Sequence, residues 1–386
     1  MTEETGLILL KNAKILPMVG ADIEKGDILI DDGGKIAAVG EAIDAPGAGT
    51  VDCTGLVATP GIVDPHCHIG MWEDGIDEEG ADGNEATDPI TPDLRAIDAI
   101  NAMDRCFTEA LDGGVTTVVT GPGSANVICG QFAAVKTGGG CIDDMILKAP
   151  AALKVALGEN PKGVYGEKKE APSTRMATAA LLRGAFVDAQ NYVAELEEDD
   201  DKPKKRDLKN ETVAKALTGE LPVKIHAHRA DDILTAIRIA KEFGLRISLD
   251  HCTEGYLIAD KIKESGAKVI LGPLMCDRCK PELKNLSIEA PGKMFAAGVE
   301  FAIMSDHPVQ LTQYLPITAA LAVKNGLPRE EAMKTITINA ARAAFIDDRV
   351  GSLEVGKDAD VVLWDGDPID IMTKVRAVYL DGKKVR

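Results

Sequence analysis

The sequence predicts an α/β fold: a (β/α)8 TIM barrel with a small β-sandwich domain built from both termini. Three observations support this prediction. The centre of the chain alternates short apolar runs with amphipathic helical stretches, which is typical of strands joined by crossover helices. Both ends carry short strands separated by Gly-containing turns. The length of 386 residues accommodates one barrel as the main domain.

Hairpin signals mark the two terminal segments. Within the first 50 residues, apolar runs are separated by Asp-Gly and Gly-Gly pairs, as in residues 26–34. The last 35 residues are similar, with short runs at 351–356, 359–364 and 377–382. We therefore predict a small β-sandwich domain from residues 1–58 plus 348–386, enclosing a barrel over residues 59–347.

The barrel elements follow in chain order. Eight apolar runs are predicted as strands, at 61–68, 115–121, 145–148, 152–157, 223–228, 246–251, 268–271 and 300–305. Amphipathic stretches between them are predicted as helices, at 93–111, 175–195, 231–243 and 254–265. Only three residues separate the third and fourth predicted strands, so the strand count is open at that point.

Two segments interrupt the alternation. Residues 70–92 are acidic and rich in Gly, and they directly follow the first pair of histidines. A long irregular loop at that place favours a lid or a pocket wall. Residues 195–208 carry a mixed run of charges, which predicts a solvated surface insertion.

Composition and charge exclude several classes of partner. The net charge of −19 argues against nucleic-acid binding, which needs clustered Lys and Arg. No apolar run approaches the roughly 20 residues of a membrane span, and residues 1–5 lack the basic start of a signal peptide. The eight cysteines show no disulfide spacing. We expect a cytoplasmic protein with a small-molecule substrate. The sequence is compatible with a homo-oligomer and leaves the oligomeric state open.

The histidines are the most informative residues. All six lie at or just after predicted strand ends, namely His66, His68, His226, His228, His251 and His307. Alternate residues of a strand share one face, so both members of a His-x-His pair point the same way. Catalytic groups of this barrel lie at the carboxyl ends of its strands, and imidazole is the commonest metal ligand. With Asp306, the pattern predicts a metal-dependent hydrolase.

Two motifs carry a family resemblance. Thr59-Pro-Gly-Ile-Val-Asp-Pro-His-Cys-His resembles the first-strand motif of the amidohydrolase superfamily. Residues 339–364 resemble the segment in which the chain of that superfamily leaves the barrel and re-enters the small β-domain. The resemblance covers nearly the whole chain. It is closest to the branch of imidazolonepropionase, prolidase-like and arginine-carboxypeptidase-like enzymes. The resemblance implies a metal site whose ligands are His66, His68, His226, His251 and Asp306.

A second metal is implied by the same resemblance. Its bridge is a carboxylated lysine or a glutamate from strand four, for which Lys154 is the candidate and Glu159 the rival. A buried lysine with a lowered pKa can supply the free amine that captures carbon dioxide. An ordinary charged residue at a strand edge is the alternative for Lys154. We expect one or two divalent ions, Zn²⁺ first, with Mn²⁺ and Fe²⁺ open because His and carboxylate ligands suit several metals.

Two histidines receive other roles. His228 faces the same way as His226 and could replace it as a ligand. In the imidazolonepropionase branch, however, a His-Ala-Asp motif aligns its ligand with the first position. His228 is therefore predicted as a catalytic or substrate-contacting neighbour. His307 is predicted to support Asp306 through hydrogen bonds.

The loop after predicted strand seven offers one further candidate. Arg278 could hold a substrate carboxylate through two hydrogen bonds, with surface ion pairing as the alternative. Cys276 and Cys279 form a lone Cys-x-x-Cys pair. A zinc ribbon would need a second pair, so we predict no metal or redox role for these thiols.

The sequence thus predicts an amidohydrolase that cleaves a C–N bond, in an amide or cyclic amide, by a metal-activated hydroxide. Asp306 would take the proton of the nucleophile and return it to the leaving nitrogen. His251, His228 or a second metal would polarise the carbonyl. A deaminase acting on an amidine-type ring, with one metal and no bridge at Lys154, is the alternative. A non-catalytic scaffold on a hydrolase barrel is the least favoured hypothesis.

Overall fold

The computed structural model describes residues 6–198 and 205–386. Residues 1–5, and residues 199–204 of the predicted charged insertion, lie outside this description. Two sheets of eight strands each organise the described chain, one built from both termini and one from the centre. In the described ranges, no helix has the length and apolar character needed to cross a membrane.

The strands and helices divide the chain as follows. The strands are β1 Ile8–Ile15, β2 Ile23–Ile30, β3 Ile36–Gly40, β4 Gly49–Asp52, β5 Val57–Pro60, β6 Ile62–Cys67, β7 Val115–Thr120, β8 Ile128–Lys136, β9 Ile146–Ala156, β10 Val223–Ala227, β11 Ile247–His251, β12 Lys268–Leu271, β13 Ala302–Ile303, β14 Val361–Trp364, β15 Val375–Leu380 and β16 Lys383–Lys384. The α-helices are α1 Arg105–Asp112, α2 Ile142–Met145, α3 Glu159–Glu167, α4 Arg175–Glu197, α5 Leu208–Leu217, α6 Ala230–Phe243, α7 Ala259–Ser265, α8 Ala290–Ala296, α9 Leu315–Lys324, α10 Arg329–Thr335 and α11 Ile338–Ala343.

The terminal sheet joins the two ends of the chain. Its order is β16-β15-β14-β5-β1-β2-β3, with β4 also paired to β1. The junction is the antiparallel pair β5–β14, in which Val57 faces Trp364 and Pro60 faces Val361. The apolar side chains of both ends are buried together in one cluster that includes Leu10 and Tyr379. Its arrangement as a sandwich, and the domain boundaries given above, stay predictions.

The central sheet forms a nearly closed barrel of eight strands, with helices in the connections. The strands follow chain order from β6 to β13. Backbone hydrogen bonds then join the two edges, from Asp306 N to His66 O at 3.1 Å and from His68 N to His307 O at 2.9 Å. The last segment of the barrel therefore lies beside the first, and the ends of β6, β10, β11 and β13 surround one mouth.

The predicted strands 145–148 and 152–157 were wrong as two separate elements. They belong to one long strand, β9, and the missing barrel strand is β8. β8 runs antiparallel to both β7 and β9, so no crossover helix is needed between these three strands. Gly130 and Gln131 interrupt the apolar run of β8, although every residue of the strand is buried. Because of this interruption, the apolar pattern of the sequence did not indicate the strand β8.

Two predicted helices are shorter than expected. The region 93–111 holds a 3-10 turn, Ala96–Asp98, and the helix α1, which begins where the Asp104 side chain accepts a hydrogen bond from Cys106 N at 3.2 Å. Only α7 of the region 254–265 is α-helical, after the 3-10 turn Gly255–Leu257. The long helices α4 and α6 lie where they were predicted.

Candidate active site

The mouth of the barrel opens into a cavity of about 730 Å³. Its floor is formed by side chains at the strand ends: His68, Lys154, His226, His228, His251 and Asp306. Its walls include Trp72 and Asn84 from the segment 70–92 and Lys280 from the loop after β12. His66 lies fully buried beneath this floor. The cavity has the size of a small-molecule site.

The first group of metal-binding atoms joins the two ends of the barrel sheet. His68 Nε2 lies 3.2 Å and His66 Nε2 lies 3.6 Å from Asp306 Oδ1. Burial alone would raise the pKa of the Asp306 carboxyl, but the hydrogen bond and charge of His68 outweigh it and lower that pKa. Burial, reinforced by Lys154, lowers the pKa of His66 to about 3. At neutral pH the group thus contains a carboxylate and a neutral imidazole, the forms that bind a cation.

The hydrogen-bond partners of the Nδ1 atoms set the tautomers of the imidazoles. His68 Nδ1 lies 2.7 Å from Gly121 O, and His251 Nδ1 lies 3.0 Å from Gly272 O. A carbonyl oxygen only accepts hydrogen bonds, so each Nδ1 must donate, and in the neutral ring Nε2 then keeps its lone pair. His66 Nδ1 faces Asp250 Oδ2 at 2.7 Å with the same consequence. These histidines are therefore prepared to bind a metal through Nε2.

A buried ion pair holds the partner of His66 in place. Asp250 is fully buried, accepts a hydrogen bond from Ser248 Oγ at 2.7 Å and lies 3.1 Å from Lys224 Nζ. Burial would raise the pKa of Asp250, but Lys224 and His66 reverse this effect and hold the pKa well below its usual range. Neither residue was predicted from the sequence. Lys224 precedes His226 by two positions on one strand, and this spacing was the available signal.

The second group of metal-binding atoms belongs to β10 and β11. One nitrogen each of His226, His228 and His251 lies within 4.8 Å of the others. His251 also forms such a group with His66 and Asp306, so it is shared between the two groups. Burial lowers the pKa of all three imidazoles on β10 and β11 well below the usual value. They are neutral at physiological pH.

Several buried nitrogen atoms of this second group have no hydrogen-bond partner among the described residues. They are both ring nitrogens of His226 and the Nε2 atom of His228. His228 Nδ1, by contrast, contacts Thr253 Oγ1 at 2.8 Å. Buried polar atoms in folded proteins are nearly always paired, so an unpaired cluster needs an explanation. Neutral nitrogens that converge beside a carboxylate fit a divalent cation well.

The backbone is strained at two of these residues. His251 and Asp306 have φ values of 71° and 55°, in the left-handed region that non-Gly residues rarely adopt. Such strain is maintained only where surrounding structure holds it, and it concentrates at active sites.

Lys154 lies in the centre of the barrel. It is fully buried on β9, and its Nζ lies 3.4 Å from His66 Nε2 and 5.5 Å from the centre of the Phe132 ring. Burial lowers the pKa of this lysine despite the opposing charge of Asp250. Glu159 points elsewhere, since its Oε2 accepts a hydrogen bond from Glu282 N at 3.1 Å. Of the two predicted bridging residues, the structure brings only Lys154 to the histidines.

The loop after β12 differs from expectation. Arg278 does not line the cavity, and its Nη2 donates to Leu286 O at 2.6 Å. Lys280 is instead the cation at the cavity wall, with Nζ 3.0 Å from Glu282 Oε1. Glu282 is 1% exposed, and its Oε1 lies 3.5 Å from His228 Nε2 and 3.7 Å from His226 Nε2. Glu282 was not predicted as a site residue, because nothing in a loop sequence shows which side chain turns inward.

Three remaining predictions concern the edge of the site. The segment 70–92 contributes Trp72, whose ring stands edge-on to His68 with 5.0 Å between ring centres. This segment therefore forms part of the cavity wall. Nδ1 of His307 is buried and has no hydrogen-bond partner in the described part of the chain, and the support of Asp306 by His307 stays a prediction. Cys276 and Cys279 both line the cavity as free thiols.

A nearly closed α/β barrel gathers neutral imidazoles, a carboxylate and a buried lysine at one mouth. This arrangement can hold a metal ion and is typical of hydrolases of the TIM-barrel type. The comparisons with known proteins name the family. The sequence matches the amidohydrolase family over residues 57–385, and the chain belongs to this family. It is an enzyme that hydrolyses carbon–nitrogen bonds, and the predicted superfamily and imidazolonepropionase-like branch are confirmed.

Individual relatives cover almost the whole chain. Imidazolonepropionase of Maricaulis maris is 29% identical over 412 aligned residues, which include 97% of each chain. The amidohydrolase tasK of Hapsidospora irregularis is 28% identical over 92% of this chain, which spans only 39% of that protein. The crystal structure of an amidohydrolase from Thermotoga maritima is 44% identical, with a TM-score of 0.95 over 98% of this chain and 99% of the other.

Proposed function

We propose that the enzyme hydrolyses an amide or cyclic amide bond of a small molecule with the help of a bound divalent cation, Zn²⁺ first. The observation that carries the proposal is the pair of metal-binding groups that share His251 on the floor of one cavity. His66 and Asp306 form one group with His251, and His68 Nε2 lies 3.2 Å from Asp306 Oδ1; His226 and His228 form the other group with His251. Relatives named imidazolonepropionase support a small cyclic amide as the substrate class.

The cation, when bound, supplies Lewis acidity to water and to a carbonyl oxygen. The protein holds it through neutral imidazoles and one carboxylate. We assign His228 to this ligand set as well, because its Nε2 belongs to the same group as His226 and His251. This assignment replaces the predicted contact with substrate.

Lys154 is proposed as the bridge between the two groups. Its lowered pKa favours the free amine, which can react with carbon dioxide to form a carbamate. The carbamate would place anionic oxygen beside His66, where Nζ now lies 3.4 Å from Nε2. Two cations per chain are then expected.

Asp306 is proposed as the proton carrier. Its lowered pKa keeps the carboxylate ionised at neutral pH, and Oδ1 is held 3.2 Å from His68 Nε2 at the edge of the cavity. From this position the carboxylate can accept the proton of the attacking water and pass it to the leaving nitrogen.

A second candidate function is deamination of an amidine-type ring. A 5-methylthioadenosine/S-adenosylhomocysteine deaminase of Desulforudis audaxviator is 24% identical over 92% of this chain. This function needs one cation and no carbamate at Lys154. Metal content per chain therefore distinguishes the candidates: two ions support the amide hydrolase with a bridging Lys154, and one ion favours the deaminase. The complete ligand set argues against a non-catalytic scaffold.

The test is Asp306→Asn in the Zn²⁺-loaded enzyme, screened against cyclic amides, N-acyl amino acids and dipeptides. Asn tolerates the left-handed backbone at this position, so the fold should be kept. Turnover should fall by about 10²–10⁴-fold, the contribution of a positioned acid–base group. Asp381→Asn is the matched control, because Asp381 also has a positive φ, of 48°, and lies in the terminal sheet region. Unchanged turnover in Asp306→Asn overturns the assignment.

A further inference from the structure

We propose that Glu282 is a ligand of the cation held by His226 and His228, supplied by the loop that follows β12. The inference rests on the proposed function, because it adds a ligand to the same site. It assigns a role to a residue that lies far from the strand ends in sequence and that no histidine motif points to.

The first observation is a buried carboxylate oxygen that faces imidazole nitrogens. Glu282 is 1% exposed, and within the described ranges its Oε1 has no hydrogen bond of good geometry, although Lys280 Nζ lies 3.0 Å from it. The ring nitrogens nearest to it, on His226 and His228, are unpaired as well. Buried imidazole nitrogens without a hydrogen-bond partner are costly, and these nitrogens converge beside the carboxylate oxygen of Glu282. A divalent cation satisfies all of them.

The distances between Glu282 and the two histidines agree with a cation bound between them. Glu282 Oε1 lies 3.5 Å from His228 Nε2 and 3.7 Å from His226 Nε2, which is too far for good hydrogen bonds. Two ligands of one tetrahedral zinc ion, each about 2.1 Å from the metal, lie about 3.4 Å apart. The same range separates Asp306 Oδ1 from His68 Nε2, 3.2 Å, and from His66 Nε2, 3.6 Å. Both metal-binding groups thus have similar spacing.

The carboxylate is held rigidly in this orientation. Glu282 Oε2 accepts a hydrogen bond from Glu159 N at 3.1 Å, and Glu282 N donates to Glu159 Oε2 at 3.1 Å. This reciprocal pair joins the loop after β12 to the start of α3. Because Oε2 is occupied there, Oε1 is directed toward the histidines. Glu159, the rival of Lys154 as the predicted bridge, therefore supports another carboxylate.

Lys280 offers the competing explanation. Its Nζ lies 3.0 Å from Glu282 Oε1, so Glu282 could serve only as the counterion of this lysine. Lys280 also approaches Asn160 Oδ1 at 3.3 Å, and its side chain is 26% exposed. A partly exposed ammonium can turn toward solvent when a cation takes its place. The buried histidines cannot turn toward solvent, and their unpaired nitrogens therefore favour a bound metal over the ion pair with Lys280 as the explanation.

The experiment compares Zn²⁺ binding by the wild type, Glu282→Gln and Glu254→Gln. Chelator-treated protein is titrated with Zn²⁺ against a chromophoric chelator, so that the dissociation constants and the number of ions are measured without any substrate. Glu282→Gln should weaken at least one ion by tenfold or more, since even residues beside the ligands contribute about 10–100-fold. Glu254→Gln should bind like the wild type, because Glu254 is similarly buried but its oxygens accept from Asn285 Nδ2 and Ala230 N.

Lys280→Met provides the second arm. It should bind Zn²⁺ as tightly as the wild type or more tightly, because it removes a positive charge beside the ligand. Equal affinity in Glu282→Gln and the wild type overturns the inference and leaves the proposed function standing. A loss in Lys280→Met as large as that in Glu282→Gln also overturns it, since the ion pair as a unit would then shape the site. A wild type that binds no Zn²⁺, Mn²⁺ or Fe²⁺ overturns the proposed function itself.

Discussion

Replacing Asp250 by Asn should damage both the stability of the barrel and its hold on the metal. Asp250 is fully buried and joins two elements, because it accepts from His66 Nδ1 at 2.7 Å and pairs with Lys224 Nζ at 3.1 Å. The amide keeps the shape of the side chain and removes its charge. Lys224, which is 2% exposed, keeps a contact of 3.0 Å with Pro65 O but loses its anionic partner.

The expected loss follows from this geometry. Removing one member of a buried ion pair typically costs about 3–5 kcal/mol, because the other charge stays buried without compensation. Removing both charges, in Asp250→Asn with Lys224→Met, should cost less than the sum of the single changes by about 1–3 kcal/mol. Loss of the carboxylate behind His66 should also weaken metal binding by about 10–100-fold.

The assay is urea unfolding of the metal-free protein at neutral pH, followed by chelator competition for Zn²⁺. Metal-free protein is needed because a bound ion adds its own binding free energy to the apparent stability. Lys224→Met alone completes the cycle of variants. The reasoning is refuted if Asp250→Asn costs less than about 1 kcal/mol, or if the two single losses simply add.

Two further predictions concern the junction with the terminal sheet and the wall of the cavity. The carboxyl of Asp358 has its pKa lowered to about 2, because the hydrogen bond from Arg349 and the charge of Lys136 outweigh the effect of burial. Because the pKa of Asp358 is lower in the folded protein, its carboxylate stabilises the fold at pH values above the usual pKa of 3.8. This stabilisation is lost as the pH falls toward 2. Asp358→Asn should therefore lose about 2 kcal/mol at pH 7, and urea unfolding from pH 6 to pH 3 should show the difference shrinking; a constant difference contradicts the prediction. Gly83→Ala should displace Trp72, because a Cβ atom at residue 83 would lie 1.8 Å from its Cη2. In a Trp364→Phe background, Trp72 is the remaining one of the two tryptophans, and adding Gly83→Ala should shift its fluorescence emission. Unchanged emission contradicts the prediction and would show that the cavity wall accommodates the added methyl group.

The local part of the site could be predicted from the sequence. Strand alternation is a short-range property, so the shared direction of His66 and His68, and of His226 and His228, follows from their spacing. The family motif around these residues led to a superfamily that the comparisons confirm. The resemblance also implied a bridging residue, for which Lys154 was the candidate and Glu159 the rival, and the structure places Lys154 Nζ 3.4 Å from His66 Nε2.

The parts that could not be predicted depend on long-range pairing. β8 was missed because its antiparallel pairs with β7 and β9 are made by a strand whose apolar run is interrupted. Asp250 reaches His66 across 184 positions of sequence, and no local pattern links them. Arg278 and Lys280 are two residues apart in one loop, where no regular period indicates which side chain faces the cavity.

The sequence by itself determined the kind of fold, the family and the set of histidines, because each depends on composition, short spacing or a contiguous motif. Only the tertiary structure decided how these residues are used. It places His251 in two groups of side chains that can hold a metal ion, turns Glu282 rather than Glu159 toward the imidazoles, and brings the two edges of the barrel sheet together beside Asp306. The physical reason is that burial and chain closure set these distances, and both arise from contacts between segments far apart in the chain.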